Sequence, residues 1–249
     1  MTANRALISA ALLVLANVPA VLAQDEGWTY KSAAYLWVSS THLSYATPTG
    51  TVESDVSFGD SLKDLDFGLV VAAEASRGRW KLGTELMYSR TTASDPFRGG
   101  PEFSEVGTKS QSTFLTVEGS FAVVEASQLA VDLGGGFRYV RLDNDTTLRA
   151  GTSPGLSTSS VDDWVEPLAV ARVRYIFAPQ WYGVLYADSG FGTSNSSGAS
   201  WQVVATVGYK LNERVNIQGG WRHFVVDTNN ASDLKLELSG PIIGATMSF

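Results

Sequence analysis

From Trp28 to its last residue, the chain alternates apolar side chains with small or polar ones through many short segments, with almost no helical periodicity. The alternation predicts strands at Trp28–Ser40, Leu65–Ala75, Trp80–Arg90, Gln111–Val123, Leu129–Leu142, Trp164–Phe177, Trp181–Asp188, Trp201–Lys210, Val215–Val226 and Leu234–Phe249. In the fifth of these, Leu129, Val131, Leu133, Phe137 and Tyr139 take one face, while Ala130, Asp132, Gly134, Gly136 and Arg138 take the other. A period of two fits a soluble sandwich, which hides its apolar face, and equally a membrane-spanning barrel, which turns that face to lipid.

Three features decide between them. The connections Ser76–Arg79, Glu125–Gln128, Ala178–Gln180 and Leu211–Arg214 are short, and those between them are long. Short turns at one end and long loops at the other characterise bacterial outer-membrane barrels. Aromatic residues gather toward the strand ends: Trp28, Trp80, Phe121, Phe177, Trp181, Tyr182, Tyr209 and Phe249 on the short-turn side, and Tyr35, Trp37, Tyr88, Tyr139, Trp164, Tyr186, Trp201 and Trp221 on the other. Two aromatic belts are expected where amphipathic rings meet two membrane interfaces. The third feature is the face opposite the apolar one, which carries Gly, Ser and Thr with charges of both signs: Glu74, Lys81, Glu85, Glu118, Asp132, Arg138, Glu166, Arg172, Arg174 and Arg222. Small residues with pairable charges suit a narrow lumen. The expected fold is an all-β, antiparallel transmembrane β-barrel of about ten strands, with eight or twelve as alternatives.

The first residues predict export. One positive charge at Arg5, an apolar run from Ala6 to Ala23 and the small-residue exit Val21-Leu22-Ala23 describe a secretory signal peptide over 1–23, followed by a barrel domain over 24–249. Beyond it, no segment has the ~18 apolar residues of a spanning helix. The absence of cysteine excludes a disulfide scaffold, a thiolate metal site and a cysteine nucleophile. With a net charge of −7 and no basic block, the chain has no electrostatic footprint for nucleic acid.

At this level of pattern nearly the whole mature chain resembles the small outer-membrane β-barrel proteins of Gram-negative bacteria, the OmpW/OmpA-like class. The likeness is carried by the signal peptide, Ala34-Tyr35-Leu36-Trp37, Arg79-Trp80-Lys81-Leu82-Gly83, and the final strand. That strand ends on Phe249, with Met247, Ala245 and Ile243 at alternate positions. In such proteins this ending is read by the barrel-assembly machinery, and the resemblance implies that partner here, together with outer-membrane lipids and lipopolysaccharide. It implies fold and membrane without an activity.

Charge is unevenly distributed. The five outward connections hold 13 acids against 4 bases, leaving the rest of the mature chain close to neutral. Solvation accounts for most of this. Asp143-Asn144-Asp145 and Asp162-Asp163 could bridge divalent cations to lipid headgroups, although their spacing matches no complete calcium loop. Within the barrel, Glu85, Glu118, Asp132, Arg138, Arg172, Arg174 and Arg222 form the expected lumen charge network, either a structural plug or a mixed-sign constriction favouring small anionic or polar solutes. The belt residues are expected to be led by Trp80, Trp181 and Tyr209 at one end and Tyr88, Trp164, Trp201 and Trp221 at the other. Residues 51–64 either extend a hairpin above the membrane or fold inward as a plug.

Only His42 and His223 offer an imidazole, and Asp227 stands near the second, with no nucleophile at a telling spacing. The two are far apart in sequence, which argues against a shared metal site, and nothing calls for a cofactor. The functional expectation is a narrow passive pore for small solutes or a structural envelope protein. The alternative is a surface adhesion or binding protein acting through its acidic loops, and an envelope hydrolase ranks third.

Overall fold

The computed structural model describes residues 27–47, 50–57, 59–60, 65–96, 101–192, 198–227 and 235–249, so the expected leader over 1–23 lies outside the described residues. These form twelve antiparallel strands: β1 Thr29–Trp37, β2 Ser40–Thr47, β3 Gly50–Val56, β4 Leu65–Arg77, β5 Trp80–Pro96, β6 Phe103–Glu125, β7 Leu129–Ala150, β8 Leu156–Ile176, β9 Trp181–Gly190, β10 Ala199–Lys210, β11 Val215–Asp227 and β12 Lys235–Ser248. Ten of them, β1 and β4 through β12, close into a barrel, because β12 pairs with both β11 and β1. Closure removes both sheet edges, so every spanning backbone group finds a partner without water.

β2 and β3 stand apart from the ring. β2 continues along β12 above β1, with Ser40 opposite Ser239, and β3 pairs with β2. The segment around Val52 is therefore the outer arm of a hairpin that prolongs the wall, and not an inward plug; 58 and 61–64 lie outside the described residues. Gly240 sits where β1 gives way to β2, and a Cβ there would overlap the Val38 carbonyl.

The turns at one end are tight. Gly78, at φ 55°, makes the left-handed bend between β4 and β5 that other residues resist. At the other end the strands outrun the sequence expectation. β6, β7 and β8 run for 23, 22 and 21 residues. Much of the expected loops Thr91–Ser110 and Asp143–Asp163 is paired strand: Lys109 faces Asp145, and Asp145 faces Ser159. A tilted span takes ~9–11 residues, so about 12 residues of each strand, roughly 40 Å along its own axis at ~3.3 Å per residue, run on beyond the span as a continuous blade.

The outer wall is apolar. Leu82, Leu115, Val117, Leu133, Val165, Leu185, Val207 and Ile217 are exposed, with Phe137 at 62% and Ile243 at 63%. Alternate residues on the same strands are buried inside: Asp132 and Arg138 on β7, Gln202 on β10 and Arg222 on β11. A soluble protein would not present so large an apolar girdle to water.

Candidate functional site

The lumen collects the chemistry, and it is layered. Nearest the short turns lies an open vestibule of about 800 Å³, lined in part by Lys31, Lys81, Asp132, Arg174, Tyr182 and Lys210. Lys81 Nζ meets Asp132 Oδ2 at 2.6 Å, and Lys31 Nζ meets Glu74 Oε1 at 2.9 Å. Above these, Arg172 spans two acids, with Nη1 at 2.5 Å from Glu74 Oε2 and Nη2 at 2.9 Å from Glu118 Oε1. Tyr186 donates its hydroxyl to Glu118 at 2.7 Å. On the far wall, Arg222 Nη2 lies 2.7 Å from Glu85 Oε1.

The next layer is dry. Arg138 donates through Nη2 to Asp188 at 2.7 Å, through Nε to the Thr116 hydroxyl at 3.2 Å and through Nη1 to Ser200 at 2.5 Å. Its Nη1 is 3.7 Å from Glu166, which accepts from Ser200, and Gln202 donates to Asp188. Arg138 and Glu166 are 1% and 0% exposed, so this ionic layer is shielded from water. The glycine at 190 makes room for it, because a Cβ there would run into the Glu166 carboxylate.

An apolar layer completes the closure at the long-loop end. Val70, Met87, Phe114, Val140, Leu142, Phe224 and Val226 pack there, with Tyr35, Trp37, Trp164, Leu236 and Leu238 against them. Phe114 and Phe224 meet edge to face, centroids 5.0 Å apart. Arg138 lies 5.0 Å over the Phe224 ring and Arg222 4.9 Å over Trp37, joining the charged and apolar layers. The lumen thus has an open vestibule toward the short turns and buried ionic and apolar layers toward the long-loop end.

All seven residues of the expected charge network face inward, six of them in ion pairs; Arg174 instead lies 4.7 Å over the Tyr182 ring. The sequence reading missed Asp188 and Ser200 as partners of Arg138, Gln202 as the partner of Asp188, and Lys31 as the partner of Glu74. Asp188 shares the parity of Tyr186 on β9, a signal that was present, but its place at a predicted strand end concealed it.

The belts are partly redrawn. Trp80 packs edge-on to Phe121 at 4.9 Å, Trp181 against Tyr209 at 4.8 Å and Trp201 against His223 at 5.1 Å, and Trp221 Nε1 donates to the Ser239 hydroxyl at 2.9 Å. Tyr88, on the outer face, donates to Gln111 at 3.0 Å. Trp164 does not belong with them: it shares parity with Glu166 and packs into the apolar layer, as do Tyr35 and Trp37. Tyr182 and Tyr186 also turn inward, to the vestibule. Position near a strand end does not make a belt residue unless parity agrees.

At the outer rim, the fold brings His42 and His223 to one recess of about 400 Å³ with Glu237 and Asp60. His42 lies opposite Glu237 in the β2–β12 register and His223 opposite Ser239 across β11–β12, which sequence distance could not reveal. Lys235, 2.5 Å from Glu237, holds that carboxyl below its usual range. Asp227 faces Lys235 in register and does not line the recess. Of the acids considered for divalent bridging, Asp143 is ion-paired to Arg141 at 3.0 Å, and the described residues hold no cluster of three or more metal-competent side chains.

No family model and no curated protein sequence matches the chain. Solved structures do. The translocator domain of autotransporter NalP from Neisseria meningitidis aligns over 99% of both chains at 12% identity with a TM-score of 0.50. The outer membrane protease OmpT from Escherichia coli covers 91% of this chain and 97% of its own, at 9% identity and a TM-score of 0.49. Ail, the attachment invasion locus protein of Yersinia pestis, covers 90% and 100% at 11% identity and a TM-score of 0.37. At such identities the likeness is one of fold. Fold and lipid-facing girdle together define a closed ten-stranded β-barrel of the bacterial outer-membrane type.

Proposed function

We propose that this barrel is a membrane-anchored surface protein, structural or binding in role, whose working part is the outward blade of β5 to β8. One observation carries the reading: a fully buried ionic layer around Arg138 and an apolar layer around Phe224 fill the lumen. A steady passive pore needs a continuous wet path, which these two layers interrupt. A ten-stranded barrel lies close to the eight-stranded case whose interior side chains fill it. The blade carries an acidic surplus, with Asp145, Asp162 and Asp163 beside the Arg141–Asp143 and Arg149–Glu105 pairs. That surface favours cationic or polar partners outside the cell.

Three finer points belong to the same reading. The β12 ending, with Ile243, Ala245, Met247 and Phe249 alternating along the strand that closes the ring onto β1, serves as the assembly signal. The girdle contacts outer-membrane lipid and lipopolysaccharide. Kinship with the OmpW/OmpA-like class rests on the sequence pattern alone. Single-channel recording in planar bilayers tests the proposal: the purified barrel is expected to stay silent, and stable, discrete ion steps from the unaltered protein would replace this reading with the narrow pore.

A further inference from the structure

The vestibule has features that closure and display do not require. Its lining cations are mostly neutralised: Lys31 by Glu74, Lys81 by Asp132, Arg172 by Glu74 and Glu118, and Arg222 by Glu85. Two are not. Arg174 and Lys210 line the cavity without a carboxylate partner among the described residues. Arg174 Nε is also buried without a hydrogen-bond acceptor. The remaining lining carboxylate, Glu213, is on the exposed β10–β11 turn.

The register brings the two cations together around one ring. Arg174 lies 4.7 Å over Tyr182, Tyr182 faces Gly208 across β9–β10, and Lys210 comes two residues later along the same face. Room for the ring is made at Gly208, where a Cβ would collide with it. Val184 and Val204 supply apolar wall beside this group. A guanidinium fork takes carboxylate or phosphate oxygens in pairs, and an ammonium adds a point charge. At about 800 Å³ the cavity is within the range of small-molecule sites, ~300–1,000 Å³.

We infer that the vestibule is a binding site for a small organic anion, a carboxylate or phosphate ester with an apolar body, entering from the short-turn end, the periplasmic end in barrels of this type. Arg174 and Lys210 hold the anionic group, and the valine wall takes the apolar part. The site is independent of the blade and of whether the lumen ever opens.

Saturation-transfer NMR on the purified barrel in detergent micelles, against protein-free micelles, tests this with benzoate, phenyl phosphate and uncharged benzyl alcohol. The two anions are expected to bind and benzyl alcohol to bind far more weakly. Arg174→Gln and Lys210→Gln should each weaken the anions about tenfold, near the ~1.4 kcal/mol of one decade, while Arg174→Lys, which keeps the charge but loses the fork, falls between Arg174→Gln and the parent. A heat-dependent gel shift retained by every variant shows that the barrel is closed. Absence of anion binding, equal binding of benzyl alcohol, or unchanged affinity in the double Arg174→Gln, Lys210→Gln variant would each overturn the assignment.

Discussion

Replacing Arg138 with methionine removes the charge at the centre of the dry layer while keeping most of the side-chain length. Three hydrogen bonds disappear, those to Thr116, Ser200 and Asp188, and two buried carboxylates lose their cation. Charge-assisted bonds contribute ~1.5–3 kcal/mol each, but their sum overstates the loss because the residues form one network. A better guide is the cost of removing one partner from a buried ion pair, ~3–5 kcal/mol. Glu166 and Asp188 are 0% and 5% exposed, and each already has one oxygen with no hydrogen-bond partner, so neither can turn to water. The upper half of that range applies, and at ~4 kcal/mol the folding constant falls roughly a thousandfold. Urea unfolding in lipid vesicles, monitored by tryptophan fluorescence, measures it. Adding Glu166→Gln and Asp188→Asn should recover about half the loss, since the orphaned charges and not the missing packing cause it. A stability for Arg138→Met within ~1 kcal/mol of the parent, or no recovery in the triple variant, would refute the reasoning.

The same geometry sets four further outcomes. Leu133→Arg, on the apolar girdle midway between the Leu129 end of β7 and Tyr139, should cost ~2–4 kcal/mol in the same unfolding assay, whereas Ser159→Arg on the blade should change stability by less than ~0.5 kcal/mol. Gly208→Ala drives a methyl into the Tyr182 ring and should cost ~1–3 kcal/mol, with Tyr182→Leu largely relieving it in the double variant. Hydrogen exchange on the vesicle-bound protein should protect the amides of 105–112 and 143–148 well above those of an open loop, because both stretches lie in paired strand. Phe224→Ala alone should leave planar bilayers silent because the ionic layer still closes the lumen, and the combined Arg138→Ala, Phe224→Ala variant should conduct.

Ten spanning strands were legible because lipid on one face and lumen on the other impose a period of two, and the side-chain face of Asp132, Arg138 and Arg222 came from parity alone. The blade was not legible in the same way. Beyond the membrane both faces of β6, β7 and β8 meet water, so apolar alternation stops, and Leu156-Ser157-Thr158-Ser159-Ser160-Val161 reads as loop although its hydroxyl and β-branched residues suit a strand. The rim recess was hidden for another reason: β1 and β12 close the ring and β2 continues along β12, which places His42 beside Glu237 across nearly the whole length of the chain. Trp164 shows where two sequence signals competed. Its place near a strand end suggested a belt and its parity with Glu166 an interior position, and the interior won because the apolar layer needs bulk there.

The seal itself answers a problem of reach. Walls ten strands around leave more width to fill along the axis than the eight-stranded case, whose interior side chains just fill it. The closing contacts join strands that are not neighbours and use long or flat side chains. Arg172 of β8 reaches Glu74 of β4, Arg222 of β11 reaches Glu85 of β5, and Phe114 of β6 meets Phe224 of β11. Small residues clear the way, as Gly190 does for Glu166. Buried ion pairs add little net stability over apolar packing, so their use here points to span and not to strength. An arginine reaches farther than a leucine, and its guanidinium here rests on an aromatic face, as that of Arg138 does on Phe224. The ionic layer therefore acts as the lower support of the apolar one.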